Sequence, residues 1–78
     1  MTVTADALIA FLRDELNIEG AIGADTPLFS EGVLDSVAMM NIIGFLEDRG
    51  GIDVRPADVT LDNFDTVARI VAYAAAAA

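Results

Sequence analysis

The sequence predicts an all-α fold: a small four-helix bundle of three longer helices and one short one, with a long loop between the first and second. Three observations lead there. Apolar residues recur every three or four positions in three separate stretches, and no stretch sustains the period-two alternation of a half-buried strand. The chain has 78 residues, of which 55% are hydrophobic, so residues 1–78 read as one domain around one small core. A chain of this length buries only roughly 60 to 65% of the surface its unfolded form exposes, which leaves little apolar surface to share among elements.

From about Thr4 to Leu16 the apolar residues Ala5, Leu8, Ile9, Leu12 and Leu16 fall at helical spacing, with Asp6 in the first turn and Gly20 beyond the end. The segment Asn17 to Leu34 holds Gly20, Gly23, Pro27 and Gly32 among scattered apolar residues and has no period, so it reads as a loop. Structureless connections beyond about 12 to 15 residues tend to be functional, and Ile18, Ile22, Leu28 and Phe29 are available to pin this one across the helix ends.

A second helix is expected from Ser36 to Arg49, stopped by Gly50-Gly51. Its stripe Met39, Ile42, Ile43 and Leu46 is assigned to the core, while Val37, Met40 and Phe45 spread apolar surface over other flanks. Packing against the long loop accounts for Val37 and Met40 in one reading; a partner-docking face, for which flexible methionine is suited, accounts for them in the other. The short third helix is expected at Arg55-Pro56-Ala57-Asp58-Val59, because proline fits the first helical position. Asn63 or Asp65 is expected to cap a last helix with Val67, Ile70, Val71 and Ala74 on one face, continued by propensity through the alanine run 74–78, whose end is expected to fray.

Composition excludes several functions. The chain has neither Cys nor His, so it offers no thiolate, no neutral-pH imidazole base and no zinc ligand set. Gly20 and Gly23 lack a phosphate-loop lysine, and the acids do not follow a calcium-loop pattern. Thirteen acids against four arginines give a net charge of −9, which repels nucleic acid and anionic membrane and favours partners with basic patches. Asp14-Glu15 and Glu47-Asp48 each read most simply as a solvated face, with docking of a basic partner as the alternative. No apolar run approaches the roughly 20 residues of a membrane span, and the N-terminus lacks a basic region before its apolar stretch, so the chain reads as soluble and cytoplasmic; a monomer is expected.

The stretch Leu28-Phe29-Ser30-Glu31-Gly32-Val33-Leu34-Asp35-Ser36-Val37 places an Asp-Ser pair where a polar loop gives way to an apolar helix. An Asp or Ser at such a junction usually serves only as an N-cap. The same position, beside free N–H groups and the positive end of the helix dipole, also suits a phosphodiester on the serine hydroxyl.

The segment Leu28 to Leu46, with Asp53-Val54 and Asn63-Phe64-Asp65-Thr66-Val67, resembles the carrier-protein family, which includes acyl, peptidyl and D-alanyl carrier proteins. The resemblance covers nearly the whole chain. It implies that Ser36, at the place of the serine in the family's Asp-Ser-Leu signature, bears 4′-phosphopantetheine from coenzyme A, with Asp35 presenting the serine and Val37 beside the arm. It further implies a phosphopantetheinyl transferase, a loading ligase or acyltransferase, and downstream synthase or modifying enzymes as partners, docking at Leu34, Met40, Glu47 and Asp48. No enzymatic activity of the chain itself is expected.

A chain without cysteine needs an imported sulfhydryl to hold a thioester, which the arm would supply. Leu34 stands before the Asp-Ser pair where fatty-acid-synthesis carriers commonly have a small residue, and Ala38 and Asn41 replace acids frequent in that branch. The resemblance is therefore nearer to free-standing carriers of amino acids, D-alanine or specialised extender units. A helical adaptor that uses the apolar face of the second helix, with Ser36 only a cap, is the reading from another class.

Overall fold

The computed structural model describes residues 3–18, 22–32 and 34–77, and every regular element within them is helical. These are α1 (Ala5–Asp14), α2 (Ser36–Gly50), a single 3-10 turn (Pro56–Asp58), α3 (Leu61–Phe64) and α4 (Val67–Ala77). The all-α bundle with a long first loop is as the sequence predicts. Its element ends and one of its faces differ.

In α1 the Thr4 hydroxyl accepts from the Ala7 N–H at 3.1 Å, which satisfies one of the first turn's free donors, and the Thr4 carbonyl accepts the first intrahelical bond from the Leu8 N–H at 3.0 Å. Leu8 and Leu12 are wholly buried. The helix stops at Asp14 rather than Leu16 because Asn17 takes a left-handed φ of 53° and the Ile18 N–H returns to the Leu12 carbonyl at 3.2 Å. Asparagine adopts that conformation at lower cost than most residues. Gly20, the expected stop, lies outside the described residues.

Helix α2 runs one residue past Arg49, to Gly50, and ends on Gly51 at φ 65°. Glycine at that position relieves the strain a Cβ would bring. Its buried face is Ala38, Ile42, Phe45 and Leu46, not the expected Met39-Ile42-Ile43-Leu46 stripe. The cause is aromatic: Phe45 packs on Phe11 of α1, ring centroids 4.5 Å apart and tilted by 34°, so Phe45 is turned inward while Met39 and Ile43 fall on half-buried edges.

Beyond α2 the chain does not form the expected short helix at 55–59. Pro56–Asp58 makes one 3-10 turn, Val59 leaves helical geometry, and the chain restarts at Thr60, whose carbonyl accepts from the N–H groups of Asn63 and Phe64. The short α-helix is therefore α3. Asn63 caps nothing; its side-chain amide donates to the Asp58 carbonyl at 2.9 Å. Thr66 caps α4 instead, its hydroxyl accepting from the Arg69 N–H at 3.1 Å and its carbonyl from the Ile70 N–H at 3.0 Å. Tyr73 ties α4 back to the 3-10 turn by donating its hydroxyl to the Asp58 carboxylate at 2.9 Å, and burial followed by that carboxylate pushes the phenol above its ordinary value. Helix α4 continues through the alanine run to Ala77; Ala78 lies outside the described residues.

One core joins these elements. Phe64 of α3 is wholly buried, as are Leu8, Leu12, Leu28, Ile42, Leu46, Val67 and Ile70, drawn from α1, the long loop, α2 and α4. Ile22 and Leu28 thus pin the loop as the sequence suggests. We expect Leu46→Ala to lower unfolding free energy by about 2 to 5 kcal/mol in chemical denaturation, a large share of a small domain's stability. Met40→Ala, at a position 72% exposed, is expected to change it by no more than ~0.5 kcal/mol.

Candidate functional site

The site begins with a loop that must be held still. Asp65, between α3 and α4, is 8% exposed, and its carboxylate accepts three hydrogen bonds from the long loop. One Oδ takes the N–H groups of Phe29 and Ser30, each at 2.9 Å, and the other takes the Ser30 hydroxyl at 2.8 Å. The Asp65 carbonyl accepts from the Leu28 N–H at 2.6 Å, and the Ala24 carbonyl accepts from the Ala68 N–H at 2.9 Å. The loop is thereby fastened to the α3–α4 corner. The Ser30 N–H and hydroxyl hold the Asp65 carboxyl below its ordinary 3.8; burial opposes them, and the Phe29 N–H and the Arg69 charge add to them.

From this anchor the chain turns through Gly32 at φ 74°, and the Leu34 N–H donates to the Leu28 carbonyl at 2.8 Å, closing the loop just before α2. Asp35 is then the N-cap. Its carboxylate accepts from the Ala38 N–H at 3.0 Å and its carbonyl from the Met39 N–H at 3.0 Å. Ser36 is the first helical residue, exposed, and its hydroxyl has no hydrogen bond among the described residues. The cap belongs to Asp35, and Ser36 is left without a capping task.

A surface cleft of about 450 Å³ opens beside Ser36, lined by Leu16 and Ile18 after α1, Gly32 and Leu34 of the loop, and Asp35, Val37, Ala38 and Asn41. Leu34, expected on a docking face, is only 6% exposed. It belongs to the core and offers the cleft an edge. Val37 and Met40 do face solvent, at 66% and 72% exposure, so they are not packed under the loop. Glu47 is exposed yet accepts from the Val54 N–H at 3.3 Å, and Asp48 lies 3.9 Å from the Arg49 guanidinium, which itself sits 5.7 Å over the Phe45 ring. The structure gathers Asp35, Ser36, Val37 and Met40 at one end of α2 and leaves Glu47 and Asp48 at the other. Among the described residues no cluster of acids could hold a metal ion and no helix is long and apolar enough to cross a membrane.

Ser36 opens α2, as the serine of the family's signature opens the second helix, and it does so exposed, at the end of a fastened loop. Residues 6–74 match the family described as the phosphopantetheine attachment site. The chain belongs to the phosphopantetheine carrier-protein family. It is 38% identical over 74 residues to lincomycin biosynthesis protein LmbN of Streptomyces lincolnensis, covering 92% of this chain and 26% of that protein. It is 31% identical over 72 residues to D-alanyl carrier protein 1 of Lactiplantibacillus plantarum, covering 92% of this chain and 90% of that protein. The chain thus spans about a quarter of the first of these relatives and nine tenths of the second.

Carrier domains hold groups on covalently attached 4′-phosphopantetheine rather than transform them, and such carriers work with a phosphopantetheinyl transferase and with loading or modifying enzymes. The residues present fit that group: the unclaimed hydroxyl stands at a helix N-terminus, where a phosphodiester is favoured, and a cleft with both aliphatic and polar lining lies beside it.

Asp65 and Ser30 were missed by sequence reasoning as parts of this assembly. The available signal was an acid between Phe64 and Thr66-Val67, inside an otherwise apolar stretch.

Because folding lowers its carboxyl, Asp65 binds fewer protons in the native than in the unfolded chain near its ordinary value. Its contribution is complete above that value and is lost as pH falls through the lower native one. We expect amide exchange at Phe29 and Ser30 to accelerate, relative to the α1 core amides, below about pH 4, and this acid step to vanish in Asp65→Asn, which exchanges faster at neutral pH. Asp35→Ala should cost about 0.5 to 2 kcal/mol in thermal or chemical unfolding, the usual loss of an N-cap.

Proposed function

We propose that Ser36 is the attachment residue and that the chain carries acyl or aminoacyl groups as thioesters on the arm it bears. The observation that carries this reading is the division of labour at the head of α2: Asp35 takes the cap, and the Ser36 hydroxyl stays exposed and unclaimed among the described residues. The Ser36 Oγ attacks the phosphorus of coenzyme A that bears pantetheine. One Oγ–P bond forms as the bond from that phosphorus to the nucleotide's phosphate oxygen breaks, and the hydroxyl proton leaves to a base of the transferase. Asp35 presents the serine by fixing the first turn, and Val37 contacts the arm.

The exposed Val37 and Met40, with Glu47 and Asp48 farther along α2, form the docking face. The net charge of −9 steers basic partner surfaces toward it and favours fast, modest-affinity encounters. Those partners are the transferase, a ligase or acyltransferase that loads the arm, and downstream synthase or modifying enzymes. The chain works as a single, monomeric, cytoplasmic carrier domain without an activity of its own, and neither nucleic acid nor membrane is among its partners. The names of the relatives, one a lincomycin biosynthesis protein and one a D-alanyl carrier protein, support an aminoacyl or specialised biosynthetic pathway over fatty-acid synthesis. The apolar first turns of α2, with no acid in the first, support the same choice.

Incubation with coenzyme A and a broad-specificity phosphopantetheinyl transferase should add one phosphopantetheine to the intact mass. Ser36→Ala should gain none while keeping its unfolding free energy within ~0.5 kcal/mol, since the cap is intact. Equal labelling of the variant, or an unmodified wild type, would exclude the reading and leave α2 as an adaptor surface.

A further inference from the structure

We infer that Asp65 is a positioning residue for phosphopantetheine transfer to Ser36: by latching the loop at Phe29 and Ser30 it sets where the Ser36 hydroxyl stands when the transferase meets it. The inference rests on attachment at Ser36. It adds a residue from the far half of the chain that governs the rate of that attachment.

Helix α2 does not fix its own head. Its buried residues are Ala38, Ile42, Phe45 and Leu46, so the large ones begin six residues beyond Ser36, about 9 Å at the helical rise. Nearer than these, only the small Ala38 is buried. Val37, the other early apolar residue, is exposed. Core packing along α2 therefore leaves Ser36 at the end of an overhang.

The chain ahead of the helix holds that overhang. Leu34 enters the core two residues before Ser36, and its N–H closes on the Leu28 carbonyl at 2.8 Å. Leu28 donates its own N–H to the Asp65 carbonyl, and the next two residues give their N–H groups to one Asp65 Oδ while the Ser30 hydroxyl takes the other. Asp65 thus grips three consecutive residues of the loop, and the gripped end is bonded to the residue that precedes the α2 cap. Bonds to an ionised carboxylate are roughly twice as strong as neutral ones. A substitution at Asp65 removes the side-chain bonds and spares the one to its carbonyl, so it loosens the loop without cutting it free.

The transfer itself makes position count. The Ser36 Oγ must approach phosphorus roughly in line with the oxygen that leaves, and a displacement of about 1 Å from such a geometry can cost on the order of a hundredfold in rate. A hydroxyl on a loosened first turn still docks, because Met40, Glu47 and Asp48 of the proposed docking face lie farther along α2. It reacts less often once docked. The latch therefore acts on kcat rather than on KM.

The test compares the wild type, Asp65→Asn, Ser30→Ala and Ala74→Gly as substrates of a broad-specificity phosphopantetheinyl transferase with coenzyme A, with rates followed by intact mass and folding checked by circular dichroism. Ser30→Ala, at an exposed position, removes a single bond to the carboxylate. Ala74→Gly weakens α4 well beyond Asp65 and leaves the loop alone. In Asp65→Asn kcat should fall about ten- to a hundredfold, and in Ser30→Ala a few-fold, with KM within about twofold of the wild type in both. The double variant should lose less than the product of the two falls, because Ser30 acts through Asp65. Amide exchange at Ala38 and Met39 should accelerate in both latch variants relative to Phe45 and Leu46. Ala74→Gly should match the wild type in kcat. Should Asp65→Asn not fold, Ser30→Ala decides by the same readings. Unchanged kcat or unchanged exchange at the head of α2 in the latch variants overturns the positioning role alone. So does a rise in KM at constant kcat, or an equal fall in Ala74→Gly. No mass gain in the wild type overturns attachment at Ser36 and this role with it.

Discussion

The Asp65 carboxylate is the constraint on which the site depends. A long loop without regular structure has backbone donors to satisfy and chain entropy to lose, and it stays in one place only if something over-determines it. Asp65 does so by accepting from Phe29, from Ser30 twice and, through its carbonyl, from Leu28. Because Asp65 sits between α3 and α4, the loop is fixed to the far half of the chain. The buried carboxylate is tolerated because its bonds come from fixed donors and Arg69 lies close enough to favour its charge.

That anchor makes the rest of the site possible. Leu28, wholly buried beside the bonded loop, leads into a turn closed by the Leu34 N–H on its carbonyl, and Leu34 follows into the core. Asp35 emerges where its side chain can cap α2, which leaves the next residue, Ser36, in the first turn facing solvent. The two polar residues of the pair thus divide the work: one completes the helix and the other is available. Leu34 and Ala38, buried two residues to either side, hold the exposed hydroxyl in a set position, which the attachment role proposed for Ser36 requires.

Helix α2 serves two surfaces at once. Ala38, Ile42, Phe45 and Leu46 enter the core, while Val37 and Met40 remain outside, so apolar residues run around much of its girth. In a protein of this size an apolar side chain left in water has a cost without a folding return, which supports the docking face proposed for it. Acidity lies farther along, at Glu47 and Asp48, and even there Glu47 is partly occupied by the Val54 N–H. In the docking proposed for this face, the head of α2 offers apolar contact, and the net charge acts at longer range.

The three longer helices, the long loop and the Asp35-Ser36 junction were legible in the sequence because each leaves a local signature: helical spacing, glycine and proline punctuation, and a cap residue before an apolar run. Even the buried loop residues Ile22 and Leu28 could be named, since an apolar side chain in a polar stretch needs a place to go. Three matters were decided only in three dimensions. Which flank of α2 faces inward followed from Phe45 meeting Phe11 across an interhelical gap, and no spacing within α2 specifies that partner. Whether Asp35 or Ser36 caps α2, and that Thr66 rather than Asn63 or Asp65 caps α4, depended on backbone angles set by the packing of Leu34 and Phe64. The role of Asp65 joins residues about 35 positions apart in the chain, and a contact of that separation has no periodic trace. The sequence by itself determined the three longer helices and the Asp35-Ser36 junction, because those are local preferences; the tertiary structure decided what holds the junction in place, because that is a pairing of distant groups.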